Sequence, residues 1–181
     1  LKKMYLLTSI IILLIPVKAQ HMIKYSTEEF GRLQAKIYPI VKISITEETE
    51  PIIKYKENEG PIFEKIGGDL LLFFGLDRES YYELVSYNDF PPEITLDTLK
   101  KLAINNLIEL VGDNIQLSNT NFGGKMLTCG YNFESSLILV DQLWDNIRIN
   151  LGYEFVLAIP AKDLLLIAKK EDTTEIKKLK Q

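Results

Sequence analysis

Between the turn signal Gly67-Gly68 and the polar Asp77-Arg78-Glu79 lies Leu70 to Leu76, a run apolar throughout and rich in Leu and Phe. It is too short for a helix between its turns and shows no polar face. It therefore reads as a central strand covered on both sides. Ser80 to Tyr87 then returns as a Tyr-rich strand, making a hairpin. Along that strand, alternation sends Tyr82 to one face and Tyr81 and Tyr87 to the other. Exposed tyrosines bind partners and also pack across strands, so Tyr81, Tyr82 and Tyr87 enter as candidate binding residues.

A strand of this kind needs neighbours and a covering layer, and the rest of the chain supplies both. Ser26-Thr27-Glu28-Glu29 has capping-box spacing, with Phe30, Leu33 and Ile37 following at helical intervals, which predicts a helix from Thr27 to Ala35 or Ile37 that Pro39 ends. Ile40 to Thr46 alternates as a half-buried strand; Glu47 to Pro51 is a solvated turn, and Ile52 to Tyr55 is expected to pair back. Thr95 caps a second helix in which Leu96, Leu99, Ala103, Leu107 and Leu110 are spaced 3, 4, 4 and 3, with Gly112 as its stop. Within it, one of Asn105 and Asn106 is expected to be solvated and the other to hydrogen-bond a neighbouring loop. Ile115–Asn119 and Lys125–Tyr131 form another hairpin. Leu137, Val140, Trp144, Ile147 and Leu151, spaced 3, 4, 3 and 4, form a third helix before Gly152. Glu154–Ile159 and Leu164–Ala168 close a last hairpin across Pro160 to Asp163. From Lys169 to Gln181 the chain is a charged tail reading as a frayed helix. Hairpins with helices between them predict an α+β fold: an antiparallel or mixed sheet with two or three helices packed on one face.

At 181 residues, 46% apolar and 25% charged, the chain is expected to hold one domain with a packed core. Lys2-Lys3, the apolar Met4–Val17 and Val17-Lys18-Ala19 read as a secretory signal over residues 1–19, followed by the domain over 20–170 and the tail over 171–181. The apolar run is about 14 residues, short of the ~20 that a membrane span needs, so cleavage and export to the periplasm or medium are expected, with an uncleaved membrane anchor as the alternative. Leu1 reads as a non-standard start or a truncation. Loss of three lysines with the leader takes the formal charge from −4 to −7. With no basic stripe, nucleic acid is not an expected partner.

The residue inventory narrows the chemistry. His21 is the sole histidine and lies just past the expected cleavage point, so Ser–His and Cys–His nucleophile pairs and His-ligated zinc have no imidazole within the domain. Cys129 is the sole cysteine, forms no internal disulfide, and is placed on a strand on the same face as Leu127 and Tyr131, as a core residue. Gly123-Gly124-Lys125 enters a strand, not a helix N-terminus, and reads as a turn. The acidic run Glu47, Glu48 and Glu50 lacks the pattern of a calcium loop. No cofactor and no metal are implied.

Four segments, Ile37-Tyr38-Pro39-Ile40-Val41, Ala103-x-x-Asn106-Leu107, Ser135-Ser136-Leu137 and Ala158-Ile159-Pro160-x-x-Asp163-x-Leu165, resemble the YtpQ-like family of uncharacterised bacterial proteins over roughly residues 30 to 170. The resemblance implies an α+β domain in which the Pro160–Asp163 turn is more than a connector, making Asp163 a further candidate binding residue. The family's usual basic or polar pair in that turn is Ala161-Lys162 here. Asp163 can also act structurally, accepting hydrogen bonds from its own turn. The leading functional expectation is a non-enzymatic binding module for an unknown protein or small ligand. The alternatives are a carboxylate enzyme built on Asp77, Glu79 and Asp163, perhaps with a divalent cation, and an immunity or inhibitor protein against a basic partner.

Overall fold

The computed structural model describes residues 23–43 and 60–180. The expected leader, His21, the strand residues beyond Ile43, the acidic run and Ile52–Tyr55 lie outside the described residues.

The fold is α+β, with its strands divided between two antiparallel sheets and not gathered into one. The first sheet is built on β3 (Leu70–Asp77). One edge of β3 pairs along its length with β1 (Ile37–Ile43). The other edge is shared end to end by β2 (Phe63–Gly67) and β4 (Tyr82–Leu84). The apolar run is thus central, as its composition demands. The tyrosine strand is shorter than expected, because Ser86 makes only an isolated bridge to Pro61 and Tyr87 lies beyond the ladder. The second sheet has the order β5 (Gln116–Asn119), β6 (Lys125–Thr128), β8 (Leu164–Lys169), β7 (Phe155–Ala161).

Among the described residues four α-helices accompany them: α1 (Thr27–Leu33), α2 (Leu96–Val111), α3 (Asp141–Leu151) and α4 (Thr173–Leu179). Ser26 and Glu29 form the expected capping box on α1. The chain passes through a 3₁₀ turn at Gln34–Lys36 and is already extended at Ile37, so Pro39 sits inside β1, opposite Phe74, rather than at the helix end. On α2, the Thr95 side chain accepts the Thr98 amide and Gly112 follows the last turn, a cap contributing about 1 kcal/mol. Leu137 falls in a 3₁₀ turn over Glu134–Leu139, and α3 starts after it. The tail helix α4 is capped by Asp172 and tied back to β8 by Glu175 Oε2, which accepts the Lys169 amide at 2.8 Å.

Two apolar cores result. The first gathers Phe30, Ile37, Val41, Leu72, Phe74, Leu76 and Leu99; the second gathers Leu107, Leu127, Phe133, Leu137, Trp144, Leu165 and Ile167. Helix α2 serves both, with Leu99 and Ala103 in the first and Leu107 and Val111 in the second, while Leu96, expected on its stripe, is exposed. Strand β1 serves both by alternation: Ile37 and Val41 face the first core, and Tyr38 and Ile40 pack against the second. Asn105 is exposed, whereas the Asn106 amide donates to Gln34 O (2.7 Å) and Ile37 O (2.8 Å), pinning α2 to the entry of β1.

Candidate functional site

The two sheets meet around β1, and there a cleft of about 450 Å³ opens, within the range usual for small-ligand sites. Its floor begins with Ile40 of β1 and Tyr82 and Leu84 of β4. Gly75, in the centre of β3, is buried for a steric reason: a Cβ there would come within 2.3 Å of Ile40 Cδ1 and 3.2 Å of Tyr82 Cβ. The missing side chain lets Ile40 lie across β3 beside Tyr82.

The wall is the segment 131–136, set by two left-handed residues, Gly130 (φ 78°) and Asn132 (φ 58°). Gly130 takes such a conformation freely, and Asn is among the side chains that tolerate it. This bend ends the alternation after Cys129. Leu127 and Cys129 are buried together as expected, but Tyr131 is 40% exposed and turned away from their face. Phe133 then packs inward, its ring centroid 5.4 Å from Tyr82 at 71° and 5.4 Å from Tyr38 at 35°, with Tyr38 and Tyr82 edge-on at 6.4 Å. Such edge contacts contribute about 0.5–1.5 kcal/mol each beyond area burial. Burial, with the Asp77 charge next, pushes the Tyr38 and Tyr82 hydroxyls above their ordinary range, so both remain neutral donors.

Buried Ser135 and Ser136 hold this wall to both sheets. Ser135 Oγ donates to Val41 O (3.1 Å), the Val41 amide donates to Ser136 Oγ (3.2 Å), and the Ser135 amide donates to Lys162 O (3.0 Å). The strand β1 and the β7–β8 turn are thereby both fixed to one 3₁₀ turn, and each brings a lysine, Lys42 and Lys162, to the cleft. Among the described residues neither lysine pairs with a carboxylate; Lys42 Nζ lies 5.7 Å from the Phe73 ring centroid. By contrast, Lys24 and Arg78 both bond Glu83, Lys100 bonds Glu64, and Arg148 bonds Asp145.

Of the candidate binding and catalytic residues read from the sequence, the structure brings only Tyr82 into this cleft. Tyr81 is 60% exposed on the β3–β4 connection, where its carbonyl accepts the Arg78 amide. Tyr87 is exposed beyond β4. Asp163 is exposed in the β7–β8 turn, and among the described residues its carboxylate accepts no hydrogen bond from that turn; the neighbouring Lys162 is the turn residue that lines the cleft. Asp77 and Glu79 share one turn, where Asp77 Oδ1 accepts the Glu79 amide (2.7 Å), and neither they nor Asp163 line this cleft.

Lys42, Phe133 and the serine pair were not legible as site residues. The only signal was the presence of Ser135-Ser136 and Pro160-x-x-Asp163 among the resembling segments. Those segments are in fact joined: Asn106 bonds Ile37 O, Ser135 and Ser136 bond Val41, and the Ser135 amide bonds Lys162 O.

Among the described residues no helix is long and apolar enough to cross a membrane, and no group of three or more His, Cys, Asp or Glu is placed to hold a metal ion. Chemically, the cleft offers an aromatic floor, neutral hydroxyl donors and two cationic rim groups. Comparison with known proteins adds no name to it: no family model, curated protein or solved structure matches this chain.

Proposed function

We propose that this chain is an exported bacterial binding module that holds a small anionic ligand with an apolar body in the cleft between its two sheets. The observation that carries the reading is the pair Lys42 and Lys162, brought together at the rim of an aromatic-floored cleft in a protein of net charge −4. An anion there gains two charge-assisted contacts while its apolar part covers Ile40, Tyr82 and Phe133. The reading is one of binding because the described residues that line the cleft supply recognition: donors and apolar surface.

The resemblance to the YtpQ-like family belongs to the same proposal, and the hydrogen bonds joining its segments support treating them as one unit. Export rests on Lys2-Lys3 and the apolar run to Val17.

Calorimetric titration of hexanoate and benzoate tests the site. Saturable binding that falls about tenfold or more in a Lys42→Glu/Lys162→Glu double variant is expected, since each charged hydrogen bond contributes roughly 1.5–3 kcal/mol. No binding, or binding unchanged in the double variant, removes the reading. Intact mass with cell fractionation tests export: a species beginning at Gln20 outside the cytoplasm is expected, and a full-length cytosolic chain contradicts it.

A further inference from the structure

The segment 130–136 has a second side, and its chemistry is the opposite of the first. There a pocket of about 500 Å³ is lined by Asn114, Gln116, Thr128, Tyr131, Cys129 and Glu134. Among the described residues no lysine or arginine lines it. Glu134 is the one charged residue among those described there, and it is only 4% exposed. One carboxylate oxygen, Oε1, accepts the Cys129 amide at 3.0 Å, which fixes the group's orientation. The other, Oε2, is buried and, among the described residues, accepts no N–H or O–H donor; the Cys129 thiol, a weak donor, lies beside the carboxylate. Leaving a buried carboxylate oxygen without a donor is costly, so a site of this form favours whatever brings one.

We infer that this pocket binds a small primary ammonium group, with Glu134 Oε2 as its anchor. A primary ammonium carries one positive charge and three donors. The charge meets Glu134, and the remaining donors meet the neutral oxygens of Asn114, Gln116, Thr128 or Tyr131. A divalent metal is the poorer fit, because the lining has only Glu134 and Cys129 as strong ligands. Burial foremost, reinforced by the Glu134 carboxylate, pushes the Cys129 thiol up and keeps it from the thiolate form that a metal takes. Entry runs past half-exposed Tyr131, whose hydroxyl is held by Asn114 Nδ2 at 3.4 Å, a long and weak latch. The site is independent of the anion cleft and shares only Tyr131 with it.

The test is an amide-resolved NMR titration of the full chain with ethylammonium chloride, with tetramethylammonium chloride at equal ionic strength as the control. Saturable shifts at the Cys129 and Gly130 amides are expected with ethylammonium alone. Glu134→Gln keeps an oxygen for the Cys129 amide and removes the charge, so affinity should fall about tenfold or more. Should that variant not fold, Gln116→Lys places a cation at the exposed rim of the pocket and should weaken ethylammonium by a similar factor. The inference is overturned by no saturable shift in the unmodified protein, by equal shifts with tetramethylammonium, or by affinity unchanged in the folded variants. Shifts produced by Zn²⁺ but not by ethylammonium also overturn it, in favour of a metal.

Discussion

The two cores of this protein use their polar groups differently. Around the first core, polar side chains close the rim: Asn106 caps two carbonyls at the start of β1, and Glu83 gathers Lys24 and Arg78, whose guanidinium also reaches the Tyr25 hydroxyl. Each of these groups finds a partner within the chain. Beside the second core, Glu134, Ser135 and Ser136 are buried within the 3₁₀ turn itself, and among the described residues no N–H or O–H donor reaches one oxygen of Glu134. Polar groups at a rim can be satisfied by water at little cost, whereas those placed inside cost several kcal/mol unless paired. The segment that accepts this cost is also the one with a cleft on each side. The first core stabilises the fold, and the second core's polar segment shapes the sites.

The largest effect expected from this contrast concerns how separate the cores are. Leu72→Ala in the first and Leu165→Ala in the second each remove a fully buried side chain and should cost about 2–5 kcal/mol. Trp144, the sole tryptophan, reports on the second core. Because α2 and β1 belong to both cores, Leu72→Ala should lower the urea midpoint seen by Trp144 fluorescence as much as it lowers the midpoint seen by circular dichroism. A Trp144 transition that stays put would mean that the cores unfold separately.

A smaller effect is expected at the rim. Asn106→Ala removes both amide donations, leaving Gln34 O with the Ile37 amide alone, and although alanine suits the helix better, a net loss of about 1–2 kcal/mol should appear in the same urea experiment. Asn105→Ala, one residue away and exposed, should be neutral or slightly stabilising. Equal effects from the two would deny the rim bond its role.

The smallest effect concerns Glu83. Its hydrogen bond from Lys24, followed by that from Arg78, holds its carboxyl below the usual carboxylate range. A folded pKa below the unfolded one contributes stability that is present above the unfolded value and lost as pH falls through the folded one. The partners are partly exposed, so Glu83→Gln should cost under about 1 kcal/mol at neutral pH. That difference should vanish in acid below the lowered pKa. A difference between the two proteins that is flat from neutral pH into acid would show that the ion cluster contributes nothing.

Much of this architecture was readable because it depends on local pattern. The Leu70–Leu76 run could only be a central strand, and Thr95 and Gly112 bracket a helix whose apolar spacing left little choice. The Asn105 and Asn106 readings came from the same periodicity, which put one residue on the flank of the apolar stripe and the other toward solvent. Pattern failed where a bend or a long-range partner decides. Pro39 looked like a helix terminator because proline disfavours the α region before it, yet the helix had already unwound and the residue was free to join a strand. Tyr131 was placed beside Cys129 because alternation assumes a straight strand, and the left-handed Gly130 and Asn132 bend it. Asp163 entered as a candidate through the resemblance, with a bond to its own turn as the structural reading; among the described residues that bond is not made, and Lys162 is the turn residue that lines the cleft.

The sequence by itself determined the α+β class, the central strand, the helix α2 with its caps, the helix around Trp144 up to Gly152, and the lack of a histidine within residues 23–180. These follow from side-chain periodicity, turn chemistry and composition, each confined to a short stretch of chain. Only the tertiary structure decided that the strands divide between two sheets, that Lys42 and Lys162 line one cleft beside a serine-pinned turn, and that among the described residues no N–H or O–H donor reaches one oxygen of Glu134. Those features depend on contacts between residues tens of positions apart, set by how α2 and β1 divide their faces between two cores.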